Sequence, residues 1–313
     1  MKISLLLSIL FFASANAFSQ GCSDAGFCTM GAMKPDQPYN KKLQFKLRSM
    51  ELSFYRGETT TTPVIYVATA DLNFSLTSKS SFQIKVPYMM VRSGKLGETE
   101  GLSDLSLCYT RSLLSTDRFD INFSVGGKIP TNKSDLTSNK FPDEPLPMYY
   151  QTSLGTYDFI TGLSLINRKW LLATGIQIPV KHINQNNFDW TDFPTFPDQT
   201  KLEKYGQANL LKRGVDVMLR VERNFRLSRF NFSVGLLPIY RITNDRITNR
   251  QGVEVKPDGA RGLALSGIIT GGYNFTVRSG IKLLWGRKIV QREKNPDGLT
   301  RDRVSSITYN YRF

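Results

Sequence analysis

The sequence predicts an all-β fold, a transmembrane antiparallel β-barrel of 12 strands with short periplasmic turns and long extracellular loops. Three observations support this fold class. Stretches of about ten to thirteen residues alternate apolar and polar side chains, the connections between them alternate in length, and the alternation continues to the last residue. Strands of that length cross a bilayer when tilted, whereas sandwich strands usually run to about six residues.

The second predicted strand shows the alternation most clearly. Its apolar residues all occupy even positions, namely Val64, Tyr66, Ala68, Ala70, Leu72, Phe74 and Leu76. Successive side chains of a strand point to opposite faces, so one face is apolar and the other polar. In the first predicted strand, residues 42–56, the apolar positions change parity between Leu47 and Met50, which predicts a β-bulge.

The connections follow the pattern of outer-membrane barrels, in which periplasmic turns are short and outer loops are long. Tight turns are predicted at residues 78–80, 115–117, 167–169, 226–228 and 277–279. The intervening long loops are predicted at residues 130–148, 182–211, 242–261 and 291–302, with shorter ones at 57–62 and 93–101. An even strand number places both ends of the barrel on the periplasmic side.

The last strand, residues 303–313, carries Ile307, Tyr309, Tyr311 and Phe313 on one face. An open edge of this kind invites pairing with other chains, and a closed barrel removes the edge by pairing its last strand with its first. The terminus resembles the C-terminal signature of bacterial outer-membrane proteins, which implies recognition by the barrel-assembly machinery through Phe313. The alternative is the last strand of a secreted sandwich.

The first residues have the features of a secretory signal peptide, residues 1–17. Lys2 supplies the charge, residues 3–13 the short apolar region, and Ala15 to Ala17 a small-x-small cleavage site. Residues 18–41 are interpreted as a periplasmic N-terminal segment and residues 42–313 as the barrel. We therefore expect the outer membrane of a Gram-negative bacterium as the location, with the lipid bilayer and lipopolysaccharide as partners.

The chain is strongly basic, with a formal net charge of +15. An exported protein rarely meets nucleic acid, so no nucleic-acid partner is expected; anionic solutes inside a pore suit the location better. The predicted lumen or solute path contains Lys46, Lys85, Asp104, Asp120, Lys128, Asp158, Asp216, Arg220, Arg241, Lys282 and Lys288. Two interpretations stay open: an ion-pair network that fills a narrow barrel, and a basic constriction that favours anions.

Two stretches carry a family resemblance. "GLSDLSLCYTRSLL" at 101–114 and "FSVGGKIPTN" at 123–132 resemble the MetA-pathway phenol-degradation family of outer-membrane transporters. Gly101, Leu102 and Asp104 match the family's Gly-Leu-Gly-Asp entry to a strand, where Ser103 replaces the second glycine. In the second stretch, the matching residues are Gly127, Lys128, Pro130 and Thr131. The resemblance implies passage of small solutes, including aromatic or hydrophobic ones.

The three cysteines leave several alternatives open. Cys22 and Cys28 lie close together in the exported region, where a disulfide is the default, and Cys108 is then a free thiol facing the lumen. Cys22, Cys28, Met30 and Met33 form a set of soft sulfur donors within twelve residues, which could hold Cu(I). Lipidation of Cys22, which follows Gly21, is the third alternative.

The predicted loop at residues 182–211 is rich in aromatic residues. Phe188, Trp190, Phe193 and Phe196 are interpreted as a loop gate that folds inward as a plug or forms a hydrophobic entry site. Aromatic residues on a long loop also suit contact with the outer leaflet.

An enzyme is not expected. A serine nucleophile needs a base in hydrogen-bond reach, and the single histidine, His182, lies at a strand end with no serine two places on. No cofactor motif appears in the sequence. The sequence therefore predicts a channel or transporter for small solutes. The competing class is a closed structural or binding barrel that acts through its extracellular loops, and a barrel hydrolase ranks below both.

Overall fold

Antiparallel strands make up nearly all regular structure in the computed structural model, which describes residues 30, 46–59, 61–194 and 196–313. The strands are β1 (Lys46–Glu58), β2 (Val64–Thr77), β3 (Ser80–Gly94), β4 (Gly97–Leu102), β5 (Leu105–Ser115), β6 (Phe119–Ile129), β7 (Thr156–Asn167), β8 (Trp170–His182), β9 (Asp216–Leu227), β10 (Phe230–Arg241), β11 (Ile247–Thr248), β12 (Glu254–Val255), β13 (Gly262–Asn274), β14 (Ser279–Val290) and β15 (Arg303–Arg312). The helices are two 3₁₀ helices, Met148–Tyr150 and Trp190–Asp192, and one short α-helix, α1 (Gln199–Glu203). Within these described residues, no helix is long and apolar enough to cross a membrane.

The strands close into a barrel because the last strand pairs with the first. β15 runs antiparallel to β1, with Ile307 opposite Phe54 and Tyr309 opposite Leu52. β4 and β5 pair with the two halves of β3 and together make one strand of the wall. The wall therefore has 12 strands, as predicted, while β11 and β12 form a separate hairpin in a loop.

The predicted bulge in the first strand is confirmed, since the register between β1 and β2 shifts between Leu47 and Ser49. The alternation of turns and loops is also confirmed. We call the end with the five tight turns and Phe313 the short-turn end, and the opposite end the loop end.

One loop prediction is wrong. Residues 93–101 do not form an outer loop: β3 continues to Gly94, β4 begins at Gly97, and the two pair as a hairpin. Ser93 and Gly97 adopt φ angles of 58° and 124°, which permit the tight reversal. The charged sequence of this hairpin gives no apolar alternation, because it extends the wall beyond the lipid at the loop end.

The outer surface of the wall is apolar and the inner surface polar. Leu52, Phe54, Leu172, Trp285 and Ile307 are among the exposed hydrophobic side chains, and all lie on the face predicted to contact lipid. Without a bilayer, this exposure would be unfavourable over so many strands. A closed barrel with an apolar outer surface is the architecture of outer-membrane proteins, and the chain is an outer-membrane β-barrel.

Candidate solute path

A polar vestibule opens at the short-turn end of the lumen. Its cavity has a volume of about 550 Å³ and its lining includes Ser233, Thr270 and Thr308. Two predicted lumen residues, Asp120 and Lys282, line this cavity. Its other charged lining residues are Glu51, Asp117, Arg118, Arg168, Arg226 and Arg312. Basic side chains thus outnumber acidic ones around the vestibule.

An apolar layer crosses the lumen about halfway along the strands. Its members come from six strands and from residue 30; they are Met30, Cys108, Ile160, Ala173, Met218, Leu237 and Ile268. On β13, Ile268 lies two residues beyond the vestibule residue Thr270, so this layer stands between the vestibule and the loop end. We call it the median layer.

Met30 is the one residue of the segment 18–41 that the structure describes, and it is 1% exposed. It belongs to the median layer, so the chain at Met30 lies inside the barrel. The predictions for Cys22, Cys28 and Met33, like that of the signal peptide, concern residues outside those that the structure describes. The third cysteine, Cys108, has a free, buried thiol in the same layer.

A buried ion-pair network lies beyond the median layer. Its members are the wall residues Asp158, Asp216 and Arg241 and the loop residues Arg213, Asp245, Arg292 and Asp297. Arg241 is central: its Nη2 lies 2.7 Å from Asp216 Oδ2 and 2.8 Å from Asp297 Oδ2, and its Nη1 lies 2.7 Å from Asp245 Oδ2. The network attaches three outer loops to the wall, which agrees with the ion-pair interpretation for this layer of the lumen.

Two loop members of this network, Asp297 and Arg213, have displaced pKa values. Burial alone would raise the pKa of Asp297, but Arg241, Arg292 and Arg213 outweigh it and lower this pKa. Burial and Arg241 oppose the charge of Arg213, yet Asp158, Asp297 and Asp216 raise its pKa overall. Both groups therefore stay charged in the dry interior, where an ion without its partner is costly.

The two stretches that carry the family resemblance meet inside the barrel. Lys128 Nζ lies 3.1 Å from Asp104 Oδ2, and both side chains are almost fully buried. The Thr131 hydroxyl donates to the carbonyl of Ser103 at 2.7 Å. A second cavity of about 80 Å³ adjoins this pair and is lined by Lys85, Asp104, Lys128, Met148 and Arg301, among others.

Aromatic side chains close the loop end. The cluster contains the buried residues Ile65, Met89, Val91, Leu96, Leu146, Tyr149, Tyr150, Phe188, Phe193, Leu202 and Tyr205, with Val67, Phe141, Trp190 and Phe196 packed against it. We call this cluster the outer plug. Most of its members come from loops 130–155 and 183–215, and they pack on the inner face of β2 and β3.

Ring contacts hold the outer plug together. The Phe188 and Phe193 centroids are 5.5 Å apart, and Phe193 packs edge-on against Phe141 at 4.9 Å. Tyr205 lies 5.3 Å from Tyr149, and its hydroxyl is 3.3 Å from that of Tyr150. Burial is the main cause that raises the pKa of both Tyr149 and Tyr150, so these phenols stay neutral.

The loop that carries Phe188 and Phe193 is fixed by its own capping. Asp189 caps the 3₁₀ helix Trp190–Asp192 by accepting from the Thr191 amide at 3.0 Å. Arg250, from the loop between β10 and β13, donates to the same carboxylate at 2.9 Å. Burial raises the pKa of Asp189, but the Thr191 hydrogen bonds and Arg250 lower it overall.

All four predicted gate residues thus lie in the outer plug, with Phe188 and Phe193 at its centre. The sequence did not single out the three tyrosines of the outer plug, Tyr149, Tyr150 and Tyr205. The run Pro147-Met148-Tyr149-Tyr150 was the available signal, since a proline before consecutive aromatic residues favours a short turn with an apolar surface.

The other predicted lumen residues lie along the whole inner wall. Lys46 is exposed at the short-turn end, opposite Ser75 in the register. Arg220 is buried and its Nε donates to Glu222 Oε1 at 2.5 Å. Lys288 is buried and pairs with Asp302, and Lys85 is half-buried beside the small cavity. The structure therefore distributes these charges over several layers and does not gather them into one ring.

His182 has a structural contact. Its Nε2 lies 3.4 Å from the backbone carbonyl oxygen of Arg213, so the contact is to backbone and not to a serine hydroxyl. Among residues 46–59, 61–194 and 196–313, with residue 30, no group of three His, Cys, Asp or Glu could hold a metal ion.

No protein-family model matches the chain, and no curated protein sequence matches it. Among solved structures, the chain is similar to an outer membrane channel from Pseudomonas putida F1. The match has 14% identity and a TM-score of 0.60, and it covers 88% of this chain and 99% of that one. A more distant match is the NanC porin, with 7% identity, a TM-score of 0.46, and coverage of 85% of this chain and 98% of that one. The fold of this chain is therefore that of an outer-membrane channel.

Proposed function

We propose that this barrel is a gated passage for small solutes across the outer membrane, and that aromatic or hydrophobic compounds, neutral or anionic, are its substrate class. The observation that carries the proposal is the outer plug. Its rings stand where a solute entering from the loop end must pass, and they pack against the inner wall at Ile65, Met89 and Val91.

The chemistry of the outer plug suits aromatic solutes. Phe193 packs edge-to-face against Phe141 and Phe188 against Tyr205, and a guest ring can replace such contacts at similar cost. Neutral tyrosine hydroxyls at Tyr149, Tyr150 and Tyr205 supply the few polar groups that orient a ligand in an apolar site.

The interior beyond the outer plug offers spaces that a small solute can use in turn. A cavity of about 80 Å³ borders Asp104 and Lys128, and the vestibule of about 550 Å³ lies past the median layer. The basic excess around the vestibule favours an anionic group on the solute. The resemblance at residues 101–132 and the fold shared with the Pseudomonas channel support the same class of function.

A second candidate is a closed barrel that binds ligands at its loops. The ion-pair network favours it, because Arg213 and Arg241 tie three loops to the wall: Arg213 pairs with Asp216, and Arg241 pairs with Asp245 and Asp297. On the gated-passage proposal, only the aromatic part of the loops moves while this network stays closed.

Uptake into protein-containing liposomes distinguishes the two. We expect uptake of benzoate above that of protein-free liposomes, with a several-fold increase in the double variant Phe188→Ala/Phe193→Ala, since the plug then has a gap. The control is Phe54→Ala/Phe159→Ala, which removes two rings from the lipid-facing surface and should leave uptake unchanged.

If neither the wild type nor the plug variant takes up the solute, the gated-passage proposal is overturned. Binding of phenol that quenches tryptophan fluorescence, without any uptake, would favour the closed binding barrel. Planar-bilayer conductance of the same proteins reports whether the plug variant opens an ion-conducting path.

A further inference from the structure

One arginine on the lipid-facing surface lies against aromatic rings. The Arg223 guanidinium carbon is 5.0 Å from the centroid of the Trp170 ring and 5.7 Å from that of Phe225. Arg223 is directly opposite Trp170 in the register of β8 and β9. Trp170 is the first residue of β8, so this contact lies near the short-turn end. The planar cation is thus stacked on the outside of the barrel rather than paired inside it.

The turns on either side add positive charge. Lys169 is exposed in the turn between β7 and β8, and Arg229 is exposed in the turn between β9 and β10. Among the residues that the structure describes, none of Lys169, Arg223 and Arg229 has a carboxylate within 4.0 Å. Three cations therefore surround this part of the rim without acidic partners.

The adjoining surface is apolar. Phe225, Leu227 and Phe230 are 46%, 69% and 61% exposed, and they continue the lipid-facing side of β9 and β10. Tryptophan and arginine together are typical of the membrane interface, where a ring meets acyl chains and a cation meets headgroups. On the other side of Arg223, toward the bilayer centre, Leu172 and Leu219 are 41% and 45% exposed. The site thus offers a stacked guanidinium for an anion and, deeper in the bilayer, an apolar surface for acyl chains.

We propose that the surface formed by Lys169, Trp170, Arg223, Phe225 and Arg229 binds an anionic phospholipid of the periplasmic leaflet. The guanidinium of Arg223, held flat by Trp170, can donate two parallel hydrogen bonds to the phosphate. Lys169 and Arg229 attract the net negative headgroup, since each basic side chain near a membrane surface adds about 1 kcal/mol of attraction. The acyl chains then run along Leu172 and Leu219, on the bilayer side of Arg223.

A cell-wall polymer is the other anionic partner on this side of the membrane. The lipid is favoured because Arg223 shares its face of β9 with the exposed Leu219 and Phe225, and this face alternates with the buried residues Arg220 and Glu222 that point inward. This proposal does not depend on passage of solutes, because the site lies on the outer wall.

Native mass spectrometry of the detergent-purified full protein with dioleoylphosphatidylglycerol tests the proposal. We expect one phosphatidylglycerol retained in preference to phosphatidylcholine, and a several-fold lower retention in Arg223→Gln and in Trp170→Leu. The matched control is Arg111→Gln, another exposed arginine near the short-turn end, for which no ring contact is found among the described residues. Heat-modifiable gel migration shows that each variant remains a folded barrel.

The proposal is overturned if phosphatidylglycerol is retained equally by the wild type, by Arg223→Gln and by the triple variant Lys169→Gln/Arg223→Gln/Arg229→Gln. Equal loss in Arg111→Gln also overturns it, because attraction to the rim is then diffuse. Displacement of the lipid by soluble muropeptides at equal concentration would reassign the surface to the cell wall and contradict the proposal.

Discussion

Asp104 and Lys128 form a buried ion pair, with 3.1 Å between Asp104 Oδ2 and Lys128 Nζ and side-chain exposures of 1% and 3%. Asp104 lies between β4 and β5, and Lys128 lies on β6. The amide of Leu154, in the loop before β7, also donates to Asp104 Oδ2 at 3.4 Å. The pair thus joins the interrupted wall strand to its neighbour and to an outer loop.

Breaking this pair on one side should destabilise the barrel strongly. We expect Asp104→Asn or Lys128→Met to lower the free energy of unfolding by about 3–5 kcal/mol, because either leaves an uncompensated buried charge. The double variant Asp104→Asn/Lys128→Met should lose less than the sum of the two. Urea unfolding in lipid vesicles, followed by tryptophan fluorescence, measures all three. Additive losses would show that the two side chains do not interact.

The fold could be predicted from the sequence because a lipid-facing barrel wall requires an apolar side chain at every second position. Val64 to Leu76 and Ile307 to Phe313 show that requirement directly. The failure at residues 93–101 has the same cause. The hairpin from Arg92 to Glu100 extends past the lipid, so its outward residues are polar, and its ion pair between Arg92 and Glu100 replaces the apolar signal.

Only part of the interior could be predicted. The sequence indicates which wall side chains face the lumen, but not which loop residues they contact. Arg241 contacts Asp297 over 50 residues away, and Met30 reaches the median layer from a segment interpreted as periplasmic. Such partners are far apart in the sequence, and the alternation within a strand does not predict which of them meet. The inward position of Phe188, Trp190, Phe193 and Phe196 was one of the placements that the aromatic composition of their loop indicated; that they form a gate stays a prediction.

The ion-pair network should weaken in acid. Asp297 has a lowered pKa in the folded protein, so its contribution to stability is present above the unfolded pKa of about 3.9 and is lost as pH falls through its folded value. We expect the extracellular loops to become cleavable by pepsin as the pH falls from about 4 to 2. Asp297→Asn should be more readily cleaved at pH 4 and should depend less on pH.

The matched control for this prediction is Asp143→Asn, an exposed acid in the loop before β7. It should behave as the wild type at each pH. If Asp297→Asn has the wild-type pH dependence, protonation of Asp297 does not release the loops.

Gly94 sets the position of the outer plug. A Cβ atom at residue 94 would lie 2.3 Å from Tyr150 Cε1 and 2.8 Å from the carbonyl oxygen of Gly97. We expect Gly94→Ala to displace Tyr150, to destabilise the loop end by about 1–3 kcal/mol, and to raise uptake of benzoate into liposomes. Gly271→Ala is the control, because a Cβ there meets nothing within 4 Å. Unchanged uptake in Gly94→Ala would show that Tyr150 does not restrict entry.

Met30 should protect Cys108 from reagents that enter through the vestibule. Both side chains belong to the median layer, and they are 1% and 3% exposed. Met30→Ala removes most of a buried side chain, and a gap that the fixed barrel wall cannot close admits water and small reagents. With Cys22 and Cys28 replaced by serine, we expect a small maleimide to label Cys108 several-fold faster in Met30→Ala than in its parent.

The control for this labelling is Met90→Ala, on the lipid-facing side of β3, which should leave the rate unchanged. Mass spectrometry of the intact protein gives the labelled fraction, and equal rates in Met30→Ala and its parent would show that Met30 does not seal the layer around Cys108.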